Sequence, residues 1–377
     1  MTRRPTWDAA FAGTFKLDQL DGADDLTARQ DQWRAEFSRR LYGPIPDPPD
    51  EICYELHELT DNSAHRLMIT VTRGEQTFKT DAALWLPRGG RPAPLIAGLS
   101  FTGPIGIFED DTFPIDALAR IYTPPALGTS PELGTSPGRL HENLRGTEAH
   151  RWPVKDLTER GFAVLVSCYG SWVPDDPAAF KTQGLRPFLG VDTGAISLWA
   201  WALQRLVDVG VALPTVDTDR ITVAGHSRLG KAALWAAAND ARIGTIFANN
   251  AGCGGTAPAA HQVGETLSGM ATEFPHWLQG KPDPSPLDQH HLMGCIAPRK
   301  LYVASADRDL WADPVGTYEA LSAAATLWPD PMEWPSSETM WCAPNNIHHP
   351  FVGHHLRSGE HEMLPEDWRA FLAFLNA

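Results

Sequence analysis

Cysteine is scarce in this 377-residue chain, and none of it is clustered. Cys53, Cys168, Cys253, Cys295 and Cys342 lie far apart and form no C-x-x-C pair, which argues against a thiolate zinc site. Their odd number allows at most two disulfides, and buried free thiols are the simpler expectation. There is no apolar run of about eighteen residues, so nothing in the sequence spans a membrane as a helix. The first residues include Arg3 and Arg4 but no apolar stretch behind them. No secretory signal is read there, and the chain as it stands is expected in the cytoplasm. Positive charge is also short: Lys and Arg total 31 against 46 Asp and Glu, a net charge of −15. That argues against a nucleic-acid partner, because phosphate binding needs clustered cations.

Hydrophobic residues make up 43% of the sequence, enough for an ample core, and no linker divides it. One domain over residues 1–377 is expected, with residues 1–60 as an N-terminal arm. Fourteen tryptophans suit stacking on sugar rings, although each single one is more often core. Antiparallel strands are expected at 65–72 and 82–86. Buried strands are expected at 94–99, 162–168, 221–224, 243–248 and 300–306. Helices are expected at 26–41, 152–160, 195–211, 229–239, 313–327 and 365–376. Strands alternating with helices predict a mainly parallel sheet covered on both faces, with the ligand at the carboxyl ends of the strands. Residues 123–150 read as one long loop containing the repeated pentapeptide Leu127–Pro131 and Leu133–Pro137. A loop of that length is functional or disordered.

The sequence turns on Arg220–Lys231, Arg-Ile-Thr-Val-Ala-Gly-His-Ser-Arg-Leu-Gly-Lys. A β-branched apolar run meets Gly225 and then an Ala- and Leu-rich helix. This puts Ser227 on a strand-to-helix corner, the setting of a nucleophile elbow. The helix N-terminus there favours the negative charge of an acyl-transfer intermediate. A serine hydroxyl needs a histidine base, and the histidine needs a carboxylate to hold its tautomer. In α/β-hydrolases the order is Ser, acid, His. The acid is therefore sought in Ala304–Pro314, after a strand end. Asp309 is the first choice and Asp307 the second, while Asp313 reads as a helix N-cap ahead of Pro314. The base is sought among His348, His349, His354, His355 and His361. His361 stands on a loop ahead of the last helix and is chosen over its main rival, His355. No carboxylate stands at helical spacing from the pair His348–His349, so no metal is expected there, and acyl transfer by such a triad calls for no cofactor.

Ser-Arg-x-Gly-Lys after a strand resembles the G-C-S-R-x-G-K signature of the glucuronoyl esterases, carbohydrate esterase family 15, with His226 where many members have Cys. The likeness runs over roughly residues 80–377 and is densest at 220–313 and 353–368. It implies an α/β-hydrolase fold, a three-layer sandwich. It also implies a Ser227–His361–Asp309 triad cleaving esters of (4-O-methyl-)glucuronic acid through an acyl-enzyme, as in lignin–carbohydrate linkages. Bacterial members carry the acid after the 300–306 strand; fungal members carry a glutamate after the preceding strand, where Asn250 stands here. The resemblance further implies an oxyanion role for Arg228 and contacts to the sugar from Lys231, Glu265 and Trp311. The partner it implies is a glucuronate ester, small or polymeric, met by a monomer; family members are typically secreted. Ser100–Pro104 falls where α/β-hydrolases place a second oxyanion N–H. The alternatives are another carbohydrate esterase, such as an acetyl xylan esterase, and a catalytically silent carbohydrate-binding relative.

Overall fold

The computed structural model describes residues 5–11, 17, 18, 20, 25–59, 64–122, 137–279, 287–330, 332–343 and 346–376. Most of the pentapeptide repeat lies outside them. The chain gathers into two compact units. One holds residues 44–224 and 242–244; the other holds 1–43, 225–241 and 245–377.

The first unit carries β1 (Glu51–Glu58), β2 (Ala64–Arg73), β3 (Gln76–Trp85), β4 (Ala93–Ser100), the small pair β5 (Arg120–Tyr122) and β6 (Pro137–Arg139), β7 (Ala163–Cys168) and most of β8 (Val216–His226). Its strand order is β1-β2-β3-β7-β4-β8. The first three join antiparallel, and β4 is parallel to both β7 and β8. β7 and β4 are buried almost throughout, as their unbroken apolar runs predict. The helix Ala195–Ala212 packs on β4, bringing Trp199 and Trp201 into the core. After β4, the Ser100–Thr102 segment is pinned by the buried Glu148. Its carboxylate accepts from Ser100 Oγ and, at 3.1 Å, from the Thr102 N–H, and it pairs with Arg151 at 2.7 Å.

The second unit carries β9 (Thr245–Asn249), β10 (Lys300–Ala306), β11 (Ile347–His348) and β12 (Val352–Arg357), in the order β9-β10-β12-β11. β10 is parallel to β9 and β12, and β11 closes the edge antiparallel. The helix Arg228–Ala238 packs on β9, and the last helix, Pro365–Leu375, packs on β10 and β12, with Trp368 and Phe371 against Phe247 of β9. The N-terminal turn Trp7–Ala10 joins a cluster with Val315, Tyr318, Trp341 and Leu356. All five cysteines are free thiols; Cys168, Cys253 and Cys295 are buried, and burial pushes the thiols of Cys168 and Cys295 up to about 12. Among the described residues no helix is long and apolar enough to cross a membrane.

Candidate active site

The predicted corner forms where β8 gives way to the helix Arg228–Ala238. Ser227 sits between them at φ 56°, ψ −128°, a conformation that non-glycine residues rarely adopt. The corner is held by the Ser227 N–H donating to the Asn249 carbonyl at 2.9 Å, and by Ser227 O accepting from the N–H groups of Gly230 and Lys231. Both glycines of the motif follow from close approach. A Cβ on Gly225 would lie 2.2 Å from Leu229 O, and one on Gly230 would lie 3.0 Å from Ala251 Cβ. The turn of helix entering at Leu229 therefore passes over Gly225. Gly230, one place later than in G-x-S-x-G, lets the helix settle against the segment after β9.

Asp309 and His361 come together in this unit. His361 Nδ1 donates to Asp309 Oδ2 at 2.6 Å. Asp309 also accepts from the Ala312 N–H at 3.2 Å and from Asn250 Nδ2. Burial pushes the Asp309 carboxyl up, but the His361 charge and these hydrogen bonds outweigh it and hold the group below its ordinary 3.8. Asn250 thus donates to the Asp309 carboxylate from the segment after β9. The His361 ring lies 4.7 Å from that of His226, the residue before Ser227. His226 is itself fixed by Nδ1 donating to Asn249 Oδ1 at 2.7 Å.

The rival candidates are engaged elsewhere. Asp307 accepts from the Gly359 N–H at 3.0 Å and so ties down the turn that precedes His361. Asp313 caps the helix Pro314–Ala325 through Gly316 N–H and accepts from His261 Nδ1 at 2.8 Å. His355 lies on β12, not in a loop; its Nε2 donates to Asp367 at 2.7 Å and its Nδ1 accepts from Tyr302.

Lys231 and Glu265 are both buried and pair at 2.6 Å. The expectation that Lys231 donates directly to a ligand meets a geometric difference. Its ammonium has three protons, and three acceptors surround it: Glu265 Oε2, Ala251 O at 2.7 Å and Cys253 O at 2.6 Å. Glu265 is placed in turn by its N–H donating to Trp311 O at 2.9 Å. Trp311, half-buried in the turn Leu310–Ala312, thereby connects the Glu265 loop to the Asp309 loop.

Sequence reading did not foresee the surroundings of Arg228. Its guanidinium carbon lies 4.6 Å from the Trp277 ring centroid and 5.5 Å from that of Phe274. The two rings stack on each other at 3.9 Å and 7°. An i, i+3 aromatic pair in Phe274-Pro-His-Trp277 was visible in the sequence, but nothing there tied it to a residue some fifty positions upstream. The set can support acyl transfer: a hydroxyl on a strained corner, a carboxylate-held imidazole against the residue before it, and a cation on the residue after it.

Comparison with known proteins identifies the family. Residues 189–330 match the family model described as glucuronyl esterase, fungi. A glucuronoyl esterase from Solibacter usitatus superposes with a TM-score of 0.79 at 30% identity, covering 96% of this chain and 97% of that one. A carbohydrate esterase of an unknown prokaryotic organism is 28% identical over 95% of this chain and 87% of its own length. The 4-O-methyl-glucuronoyl methylesterase 1 of Phanerochaete chrysosporium is 25% identical over 81% of this chain and 58% of its own. With an α/β-hydrolase fold, a mainly parallel sheet flanked by helices, and this likeness along nearly its whole length, the chain belongs to the glucuronoyl esterases of carbohydrate esterase family 15 and is an ester hydrolase.

Proposed function

We propose that the chain hydrolyses esters at the carboxyl carbon of (4-O-methyl-)glucuronic acid through a serine acyl-enzyme. The observation that carries the reading is the 2.6 Å bond between His361 and Asp309 beside the strained Ser227 corner. In this reading Ser227 Oγ attacks the ester carbonyl as His361 takes its proton. Asp309 holds the imidazole in the tautomer that leaves Nε2 free to accept, and steadies the imidazolium. The tetrahedral oxyanion forms near the helix N-terminus and the Arg228 cation. His361 returns the proton to the leaving alcohol, and a water activated by the same imidazole releases the uronic acid. No step calls for a metal or cofactor.

Sugar recognition falls to Glu265 and Trp311, with Lys231 fixing the Glu265 carboxylate by its ammonium. A buried polar site of this kind rejects substrates lacking the matching hydroxyls, because its own groups are left unpaired. A glucuronate ester is therefore preferred to short alkanoate and acetate esters. In a plant wall that bond joins the glucuronate of xylan to a lignin alcohol, which makes the chain an agent of lignocellulose breakdown. The Solibacter relative is a glucuronoyl esterase and the Phanerochaete relative a 4-O-methyl-glucuronoyl methylesterase, which supports this substrate class.

The test is Ser227→Ala assayed on benzyl glucuronate, acetylated xylan and a short alkanoate ester. The variant should fold and lose turnover on all three, while the parent favours the glucuronate. Substantial esterase activity in folded Ser227→Ala would remove Ser227 as nucleophile. A parent that favours acetylated xylan would make it an acetyl esterase. Lys231→Ala should weaken glucuronate turnover far more than acetate turnover; equal loss on both would assign the pair to holding the fold.

A further inference from the structure

A cation at the first position of a helix is held against the positive end of the helix dipole. Arg228 stands there, at the head of Arg228–Ala238, and its side chain is long enough to swing away. What meets it is a stacked aromatic pair. Phe274 ends the short helix Leu267–Glu273, its N–H bonded to Met270 O at 2.8 Å. Trp277 N–H turns back onto Phe274 O at 2.9 Å, which sets the rings face to face. The far side of the turn is tied down as well, by the Gln279 N–H on Leu41 O at 2.9 Å. Trp277 is buried, so its ring has no open space to move into. Planar guanidinium groups favour such faces, where cation–π attraction adds to stacking.

We infer that Phe274 and Trp277 are positioning residues for the reaction: they form a platform that fixes the Arg228 guanidinium near the oxyanion. This rests on the proposed role of Arg228. The physical reason is preorganisation. A charge already aimed where the oxyanion forms lowers the barrier without reorganising at the moment of reaction, whereas a mobile arginine would spread over several rotamers. Substrate in its ground state gains little from that aim, so the platform acts on kcat more than on KM.

The test is a double-mutant cycle in the full chain with Trp277→Leu, Arg228→Met and the two combined, on benzyl glucuronate. Trp277→Leu should lower kcat about tenfold, the scale of a desolvated cation–π contact, with KM within about twofold. Arg228→Met should lower kcat further, and the double variant should be no slower than Arg228→Met alone. Trp277→Phe, which keeps an aromatic face, should recover most of the loss. If Trp277→Leu does not fold, Phe274→Leu replaces it in the same cycle. Multiplying losses in the double variant, beside a large Arg228→Met effect, would overturn the platform while leaving the role of Arg228 intact. Full activity in Arg228→Met would overturn that role first, and the platform with it.

Discussion

Two histidine–aspartate pairs bonded through Nδ1 lie in the same unit and have nearly the same bond. His361 holds Asp309 at 2.6 Å and His261 holds Asp313 at 2.8 Å, each through Nδ1. Bond length does not separate a candidate catalytic pair from a structural one; what surrounds it does. The His361 side chain is 20% exposed and its ring lies beside that of His226, next to Ser227, whereas the His261 side chain is 1% exposed and packs against Phe11. The carboxylates differ in the same sense. Asp309 is held below 3.8 by His361, Asn250 and Ala312, which together outweigh its burial. Asp313 is pushed above 3.8 because burial outweighs the help of His261 and the Gly316 N–H. One carboxylate is held toward its charged form beside a part-exposed imidazole. The other accepts from a histidine and caps the helix Pro314–Ala325.

The largest expected effect tests that division. Asp309→Asn should keep the fold and lower kcat by roughly 10³ to 10⁴, as expected when a base loses its tautomer partner. Asp307→Asn should cost much less, since Asp307 secures the turn at Gly359 and pairs with Arg308 at 3.8 Å and is not bonded to His361. Steady-state kinetics on one glucuronate ester decides it; a crippled Asp307→Asn beside a mild Asp309→Asn would reverse the assignment. Asp313→Asn comes next. It should leave kcat within a few-fold and lower stability by about 1 kcal/mol, the scale of a weakened cap and hydrogen bond, seen as a drop in Tm of a few degrees. A kcat loss as large as that of Asp309→Asn would make the two pairs functionally equal.

The smallest effect lies in how stability depends on pH. The depressed folded value of Asp309 means its stabilisation is complete above the unfolded value near 3.8 and is lost as pH falls through the lower folded one. The raised folded value of Asp313 works oppositely: its contribution is greatest below 3.8 and fades as pH rises through the higher folded value. Acidification should therefore narrow the Tm gap between the parent and Asp309→Asn and widen the gap between the parent and Asp313→Asn. Melting curves at pH 7 and in the acid range measure both. Gaps moving in the same direction would break the contrast.

How much of this was legible depended on how local the cause was. β10 was read to the residue, and the helices at 195–212, 228–238 and 365–375 to within a residue or two, because apolar runs and Ala-rich stretches fix them locally. β8 begins five residues earlier than expected, since Asp217–Arg220 is polar and lies at its exposed start. β1 was missed although Ile52, Tyr54 and Leu56 alternate along it, because every residue of it is exposed or only half-buried and no buried apolar run marks it. β12 was missed because Gly353-His-His does not look like a buried strand. Tyr302, fifty-three residues back, and Asp367, on the helix that follows, satisfy His355 and let it be one. In the site, the residue types and their order in the chain were readable. The saturation of Lys231 by Ala251 O and Cys253 O was not, nor was the seat of Arg228 on Trp277, because both partners arrive by folding over long separations.

The backbone of Ser227 carries a consequence for selection. Its φ of 56° is one that glycine takes freely and serine does not, at a cost on the order of 1–3 kcal/mol. The hydroxyl is thus kept at a standing loss of fold stability, and a chain released from the need to turn over substrate would gain by giving it up. Ser227→Gly should melt above both the parent and Ser227→Ala, which retains the side-chain clash at Cβ. A relative of this fold that did not use this corner for hydrolysis would gain stability from glycine there.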